Sequence, residues 1–228
     1  MTTKLRKNVP WRITQYAFGL MIVGLGVNTL LRSRLGAGAW DTVTYNLAYA
    51  LNRLVESLNV SWVITLGTSS FLIQTTLLLW VFSVRKSWRY VFILVPIVGI
   101  SLVIDFWDIL IFADYYPENF GLRLLFYISG LIALTFGLVL MILSRFPAAI
   151  FDEVMLLVMR LTKIDSVFKV RTGVELFALV TATVIGFSSG LGWGAVNVGS
   201  LILALALPPL LSWQIFWMKR WFDAYEST

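Results

Sequence analysis

The sequence predicts an all-α membrane protein of about six transmembrane helices, in two inverted three-span repeats with an extra short helix after the first span of each. Three observations carry this expectation. The 228-residue chain is 59% hydrophobic and only 13% charged, with a mean hydropathy of +0.84. A soluble domain is nearer one-quarter charged, so there is too little polar surface here to cover a water-soluble globule. Apolar runs of about 20 residues, the length that crosses a bilayer, recur six times. Finally, the two halves echo each other at a fixed offset of 111 residues.

Sliding residues 12–43 onto 123–154 without a gap leaves ten identities: Arg12/Arg123, Tyr16/Tyr127, Gly19/Gly130, Leu20/Leu131, Gly26/Gly137, Ser33/Ser144, Arg34/Arg145, Ala37/Ala148, Asp41/Asp152 and Val43/Val154. Leu and Val matches between two membrane segments carry little information. Arg, Tyr, Ser-Arg and Asp matches in one register carry more, and internal repeats are the architecture of many transporters. Repeat 1 is expected over about 12–112 and repeat 2 over about 123–217, within a single membrane domain spanning 1–228.

In chain order the spans are expected at roughly 13–31, 62–83, 90–112, 122–143, 172–188 and 195–217. The first is too long for a signal peptide and lacks a small-residue cleavage site. Trp11, Trp62, Trp88, Tyr90, Trp193, Trp213 and Trp217 gather near span ends, as an interfacial belt does. Residues 36–55 (GAGAWDTVTYNLAYALNRLV) and 148–162 (AAIFDEVMLLVMRLT) are left over. Each follows the first span of its repeat, helix-like but short and broken by polar residues.

The basic residues choose between six spans and eight. Six spans with the N-terminus inside put fourteen Lys and Arg inside and four (Arg32, Arg34, Arg53, Arg123) outside, whereas eight spans give twelve against six. The positive-inside rule favours six, with both termini cytoplasmic, 85–89 inside and 113–121 outside. An odd number of spans per repeat forces the second repeat to enter from the opposite side. The two short segments then start from opposite faces, either re-entrant towards a midplane site or flat in the interface. Their interruptions, Gly36 and Gly38 in one half and Pro147 in the other, are the expected hinge positions.

Candidate functional residues follow. Asp41 and Asp152 stand near the N-termini of the short helices in matching places, suited either to capping or to a shared cation- or proton-binding cavity. Asp105 lies inside the third span with Asp108 on the same helical face, and an intramembrane carboxylate is a functional hypothesis by default. Arg171 and Glu175, spaced i, i+4, suggest an ion pair or a substrate clamp on the fifth span. Gly190, Gly192 and Gly194 in SSGLGWGAVN follow no strand-to-helix pattern, so they suggest a tight turn rather than a dinucleotide fingerprint. Asn197 is placed to hydrogen-bond across helices.

The chain has no Cys and no His, which removes thiolate chemistry, disulfides, most transition-metal sites and a histidine relay. A Walker loop is absent, so no ATP motor is expected within the chain. The charge of +6 sits between apolar runs and sets topology; it forms no nucleic-acid face. An aspartate-dyad intramembrane hydrolase would need YD and GxGD settings that neither Asp41 nor Asp152 has. Neither enzymatic activity, a cofactor nor a metal is expected.

The stretches SRLGAGAWDTVTYNL, SRFPAAIFDEVMLLV, RTGVE at 171–175 and GLGWGAVNVG at 190–199 resemble bacterial YczE/YitT-type integral membrane proteins over most of the chain. The family pattern resembles LGxxPWD and a GxGT-like turn, where this chain has Ala39 and Gly194-Ala195. The resemblance implies a small polytopic protein of uncharacterised function.

The expectation is a small-solute transporter or permease of the bacterial inner membrane, ion-coupled or energised by a separate partner. Its halves would rock about a site near Asp41, Asp105, Asp152 and Glu175. The alternative is a non-transporting scaffold or accessory protein for an export or envelope system. The lipid bilayer, an unknown small solute, and a homodimer mate or membrane partner protein are the partners considered.

Overall fold

A computed structural model describes residues 9–113, 115–146 and 150–226, and for Arg89 and 221–226 the backbone alone. Among the described residues there are eight α-helices and no strand. They are α1 (Val9–Ser33), α2 (Ala39–Ser57), α3 (Leu66–Arg85), α4 (Leu94–Asp105), α5 (Phe120–Leu143), α6 (Ile150–Thr162), α7 (Val167–Ser188) and α8 (Val198–Glu226). A 3₁₀ stretch, Trp88–Ile93, leads into α4, and a π-helical stretch, Phe106–Phe112, continues it.

Six segments are long and apolar enough to cross a membrane: Val9–Ser33, Leu66–Arg85, Tyr90–Phe112, Phe120–Leu143, Val167–Ser188 and Val198–Arg220. These match the six expected spans, with the fifth beginning five residues earlier than its apolar run. The fold is inside-out relative to a soluble protein. Large apolar side chains such as Leu79, Leu102, Phe177 and Val184 are exposed on the outside, while Asn28, Asn46, Ser69 and Thr135 are fully buried. The chain is a multi-pass membrane protein.

The centre of the bundle is the α1–α5 pair. Arg12 Nε donates to the Ser144 carbonyl at 2.7 Å, and Arg123 Nε donates to the Ser33 carbonyl at 2.8 Å. The start of each helix is thus tied to the end of the other, so the two run antiparallel. Glycines let them touch. A Cβ at Gly26 would lie 2.5 Å from Leu134 N, one at Gly137 2.7 Å from Val23 N, and one at Gly19 2.9 Å from the Gly137 oxygen. Without a hydrophobic drive between helices in lipid, close backbone approach through small residues is what holds such a pair.

The other helices surround this pair. α4 packs on α1 and α8 on α5; α2 packs on α7 and α6 on α3. At the π-helical stretch, Asn28 Nδ2 donates to the Ile104 carbonyl at 3.0 Å, pairing a backbone group at the point where the helical register changes. Pro208 and Pro209 lie inside α8, where a missing N–H and ring clash kink or weaken a helix. Arg32 pairs with Asp108 across the ends of α1 and the third span, and Arg85 pairs with Glu153 at 3.0 Å between α3 and α6.

Candidate functional site

The connection between α1 and α2 positions one side of the site. After Ser33 the chain passes through Arg34 in the left-handed region (φ 55°) and Gly36 at φ 144°. Gly36 lies so close to the backbone of Gly199 and Ser200 that no side chain would fit. An extended strand of backbone inside a membrane protein must have its polar groups satisfied by protein. Here the Leu35 carbonyl accepts from Gly199 N at 3.1 Å, Ala37 N donates to Ser200 Oγ at 3.1 Å, and Tyr127 hydroxyl donates to the Gly199 carbonyl at 2.7 Å. The matching connection before α6 includes Pro147, which lies outside the described residues, so its expected hinge role has no structural counterpart here.

The connection between α1 and α2 folds back along the bundle. Arg12 and Ser33 stand at opposite ends of α1, about 30 Å apart at 1.5 Å per residue, and Arg12 is bonded to Ser144. Yet Trp40, seven residues beyond Ser33, stacks on Phe151, seven residues beyond Ser144, with ring centroids 4.9 Å apart and planes at 20°. Trp40 and Phe151 are themselves related by the 111-residue offset. Both short helices therefore begin inside the bundle, within reach of each other.

A cavity of about 110 Å³ opens beside that stack. Its polar end is lined by Asp41 and Thr44 of α2, Ser70 and Gln74 of α3, Asp152 of α6, and Arg171 and Glu175 of α7; its aliphatic wall includes Val23, Val27, Leu134, Leu207 and Leu211. The kink-forming prolines of α8 sit next to Leu207. Four of the sequence-derived candidates, Asp41, Asp152, Arg171 and Glu175, meet here.

Their roles differ from the simplest expectation. Asp41, at the third position of α2, hydrogen-bonds back to the Gly38 backbone, half of a capping box, and it also faces the cavity. Capping geometry and a place on the cavity lining therefore coincide at this residue. Arg171 forms its ion pair with Asp152, Nη1 to Oδ1 at 3.7 Å, across helices rather than with Glu175 on its own. Arg171 also acts on Glu175 electrostatically, which leaves Asp41 without a basic partner among the described ion pairs.

Three polar atoms at the cavity are buried without a protein partner: Trp40 Nε1, Gln74 Oε1 and Arg171 Nε. Gln74 is 2% exposed and its amide nitrogen is already spent on Ser70 Oγ at 2.8 Å. An unpaired buried acceptor costs about 1–3 kcal/mol, so such atoms call for a partner, whether water or a solute. Sequence reading had passed over Gln74, although one amide in an otherwise apolar span was a usable signal. It had also passed over Trp40 and Phe151, although each directly precedes a matched Asp.

Asp105 and Asn197 lie elsewhere. Asp105 accepts from Thr65 Oγ1 at 2.7 Å and from Gly67 N at 2.6 Å, so it caps the start of α3 instead of facing the cavity. This corrects the expectation that it would line the site: its charge is met by the orphan donors of a helix N-terminus. Asn197 is exposed and its Nδ2 donates to the Arg34 carbonyl at 3.2 Å, joining the turn before α8 to the α1–α2 connection. Gly190, Gly192 and Gly194 all have positive φ, at 78°, 72° and 57°, forming the expected tight turn. The fully buried Asn46 anchors that turn by donating to the Ala182 and Trp193 carbonyls and accepting from Ala195 N.

A family model matches residues 10–215, and the chain belongs to that family, a family of unknown function (DUF6198). This agrees with an uncharacterised family, as the resemblance implied. No curated protein matches the chain, and no solved structure does.

Proposed function

We propose that the chain is a small-solute permease of the bacterial inner membrane, built from two inverted repeats, with the cavity between α2, α3, α6 and α7 as its solute site. The observation that carries this reading is the cavity itself. It gathers three carboxylates, a guanidinium and three unpartnered buried polar atoms where the two short helices meet. Short helices that begin inside the bilayer at equivalent places in two halves are the usual frame of a transporter site.

The inverted relation is supported by the reciprocity of the contacts. Arg12 to Ser144 is answered by Arg123 to Ser33, Gly19 against Gly137 by Gly130 against Gly26, and α2 on α7 by α6 on α3. Antiparallel first spans related this way imply a two-fold axis perpendicular to them, hence in the membrane plane, passing near the Trp40–Phe151 stack. The distribution of basic residues supports cytoplasmic termini. Rocking of one half on the other would open the cavity to each side in turn, with the prolines of α8 as a weak point. Coupling would come from an ion gradient or a separate energising partner.

The test is uptake by proteoliposomes carrying the purified chain, offered a defined mixture of small polar metabolites with and without an imposed pH gradient. Wild type should accumulate at least one component above empty liposomes, and Glu175→Gln should abolish it. Uptake equal to empty liposomes for every component under both gradients would overturn the permease reading in favour of a scaffold.

A further inference from the structure

The polar end of the cavity holds more acidic side chains than basic ones. Asp41, Asp152 and Glu175 face it with Arg171 as the one basic lining residue, and that guanidinium is already paired with Asp152 at 3.7 Å. An anionic solute would find its one basic group answered and two further carboxylates repelling it. A bare metal ion would need oxygen ligands converging at about 2–2.6 Å. Among the described residues no three acidic side chains are grouped to do so. The carboxylates are instead spread over three helices, the spacing suited to a larger charged group. Gln74 Oε1, buried and unpartnered, is an acceptor for an N–H. The rest of the lining is largely aliphatic, with Trp40 and Phe151 stacked beside it.

We infer that the occupant is a small organic cation, an amine with an apolar body, whose ammonium lies among Asp41, Glu175 and Gln74 while its hydrocarbon part packs on the aliphatic wall. The assignment rests on the reading of this cavity as the solute site. The volume of about 110 Å³ limits the occupant to a small molecule, and burial of its apolar part supplies affinity without needing further polar partners. Arg171 is shared between Asp152, its ion-pair partner, and Glu175 on its own helix, so Asp41 is the carboxylate with no basic neighbour.

Three small probes of nearly one shape and different charge test it on the purified, detergent-solubilised full chain: isobutylamine, isobutanol and isobutyrate, at constant pH and ionic strength. A ligand that binds only the folded state raises its thermal midpoint, and calorimetric titration then gives affinity. The amine should raise the midpoint and bind at least tenfold more tightly than the alcohol, and the acid should produce no shift. Glu175→Gln should weaken the amine at least tenfold while leaving the alcohol unchanged. The three-probe comparison on wild type needs no variant, so it stands even if substitution disturbs folding. Acid binding as tight as amine binding, or no shift with any probe, would overturn the assignment. Amine binding without proteoliposome uptake would instead overturn the permease reading alone, and uptake of an anion would overturn the cation assignment while keeping the permease.

Discussion

Alanine in place of Gly26 should destabilise the bundle more than any other single-methyl addition along the α1–α5 crossing. The added Cβ would stand 2.5 Å from Leu134 N, 2.7 Å from Leu134 Cα and 2.9 Å from Leu134 Cβ. Two of these are backbone atoms and cannot swing aside, so relief to ordinary contact needs α1 and α5 to part by about 1 Å, which forfeits a quarter to a half of each contact well along the crossing. Overpacking of this kind costs about 1–3 kcal/mol, and the upper end applies where backbone must move. The helix-propensity gain from Gly to Ala returns about 0.5–1 kcal/mol, leaving a net loss of about 2 kcal/mol. Gly173, on the exposed face of α7 with nothing within 4 Å of its would-be Cβ, is the control, where Ala should be neutral or stabilising by about 0.5–1 kcal/mol. The assay is reversible unfolding in mixed micelles followed by far-ultraviolet circular dichroism. A Gly26→Ala variant as stable as Gly173→Ala would refute close backbone packing as the bond between the halves.

Further expectations concern other parts of the fold. Asp105→Asn should lower stability by about 1 kcal/mol, the usual scale of a lost cap interaction, in the same unfolding assay, and leave the amine-induced thermal shift at its wild-type size; loss of that shift would return Asp105 to the site. Arg12→Ala and Arg123→Ala should each cost about 1.5–3 kcal/mol for a charged donor removed from a carbonyl, and the double variant should be additive because the two bonds lie at opposite ends of α1. Coupling between them above about 0.5 kcal/mol would mean that the ends are not independent. Single cysteines at Ser87 and Glu118, in a chain with no native Cys, should label from the cytoplasmic and external sides respectively; outside labelling at position 87 would sink the six-span topology.

The spans were readable because hydropathy and length are what a bilayer selects, and the apolar runs mark the helices to within a few residues. The meeting of Asp41 with Asp152 was foreshadowed by their common place in the 111-residue register, as was the Trp40–Phe151 stack beside them. The role of Asp105 was not readable, since its partners Thr65 and Gly67 stand about 40 positions earlier and only tertiary packing brings them together. Arg171 was legible only in part for a similar reason. The i, i+4 rule sees Glu175 on the same helix, but not Asp152 arriving from α6. Gln74 gave its residue type to the sequence and its direction only to the structure, because a helix with apolar residues all round does not show which face is inward.

Accessibility of Ser70→Cys is the most direct measurement of whether this cavity is an alternating site. Ser70 is 4% exposed and lines the cavity, the substitution is nearly isosteric, and no other thiol competes. A membrane-impermeant thiol reagent would be applied to right-side-out and to inverted vesicles, with Ser87→Cys as the one-sided reference. A permease that rocks about this cavity requires Ser70→Cys to react from both sides, with rates lowered by isobutylamine. Reaction from one side only, or from neither, in folded protein would contradict alternating access and leave the cavity a closed structural feature.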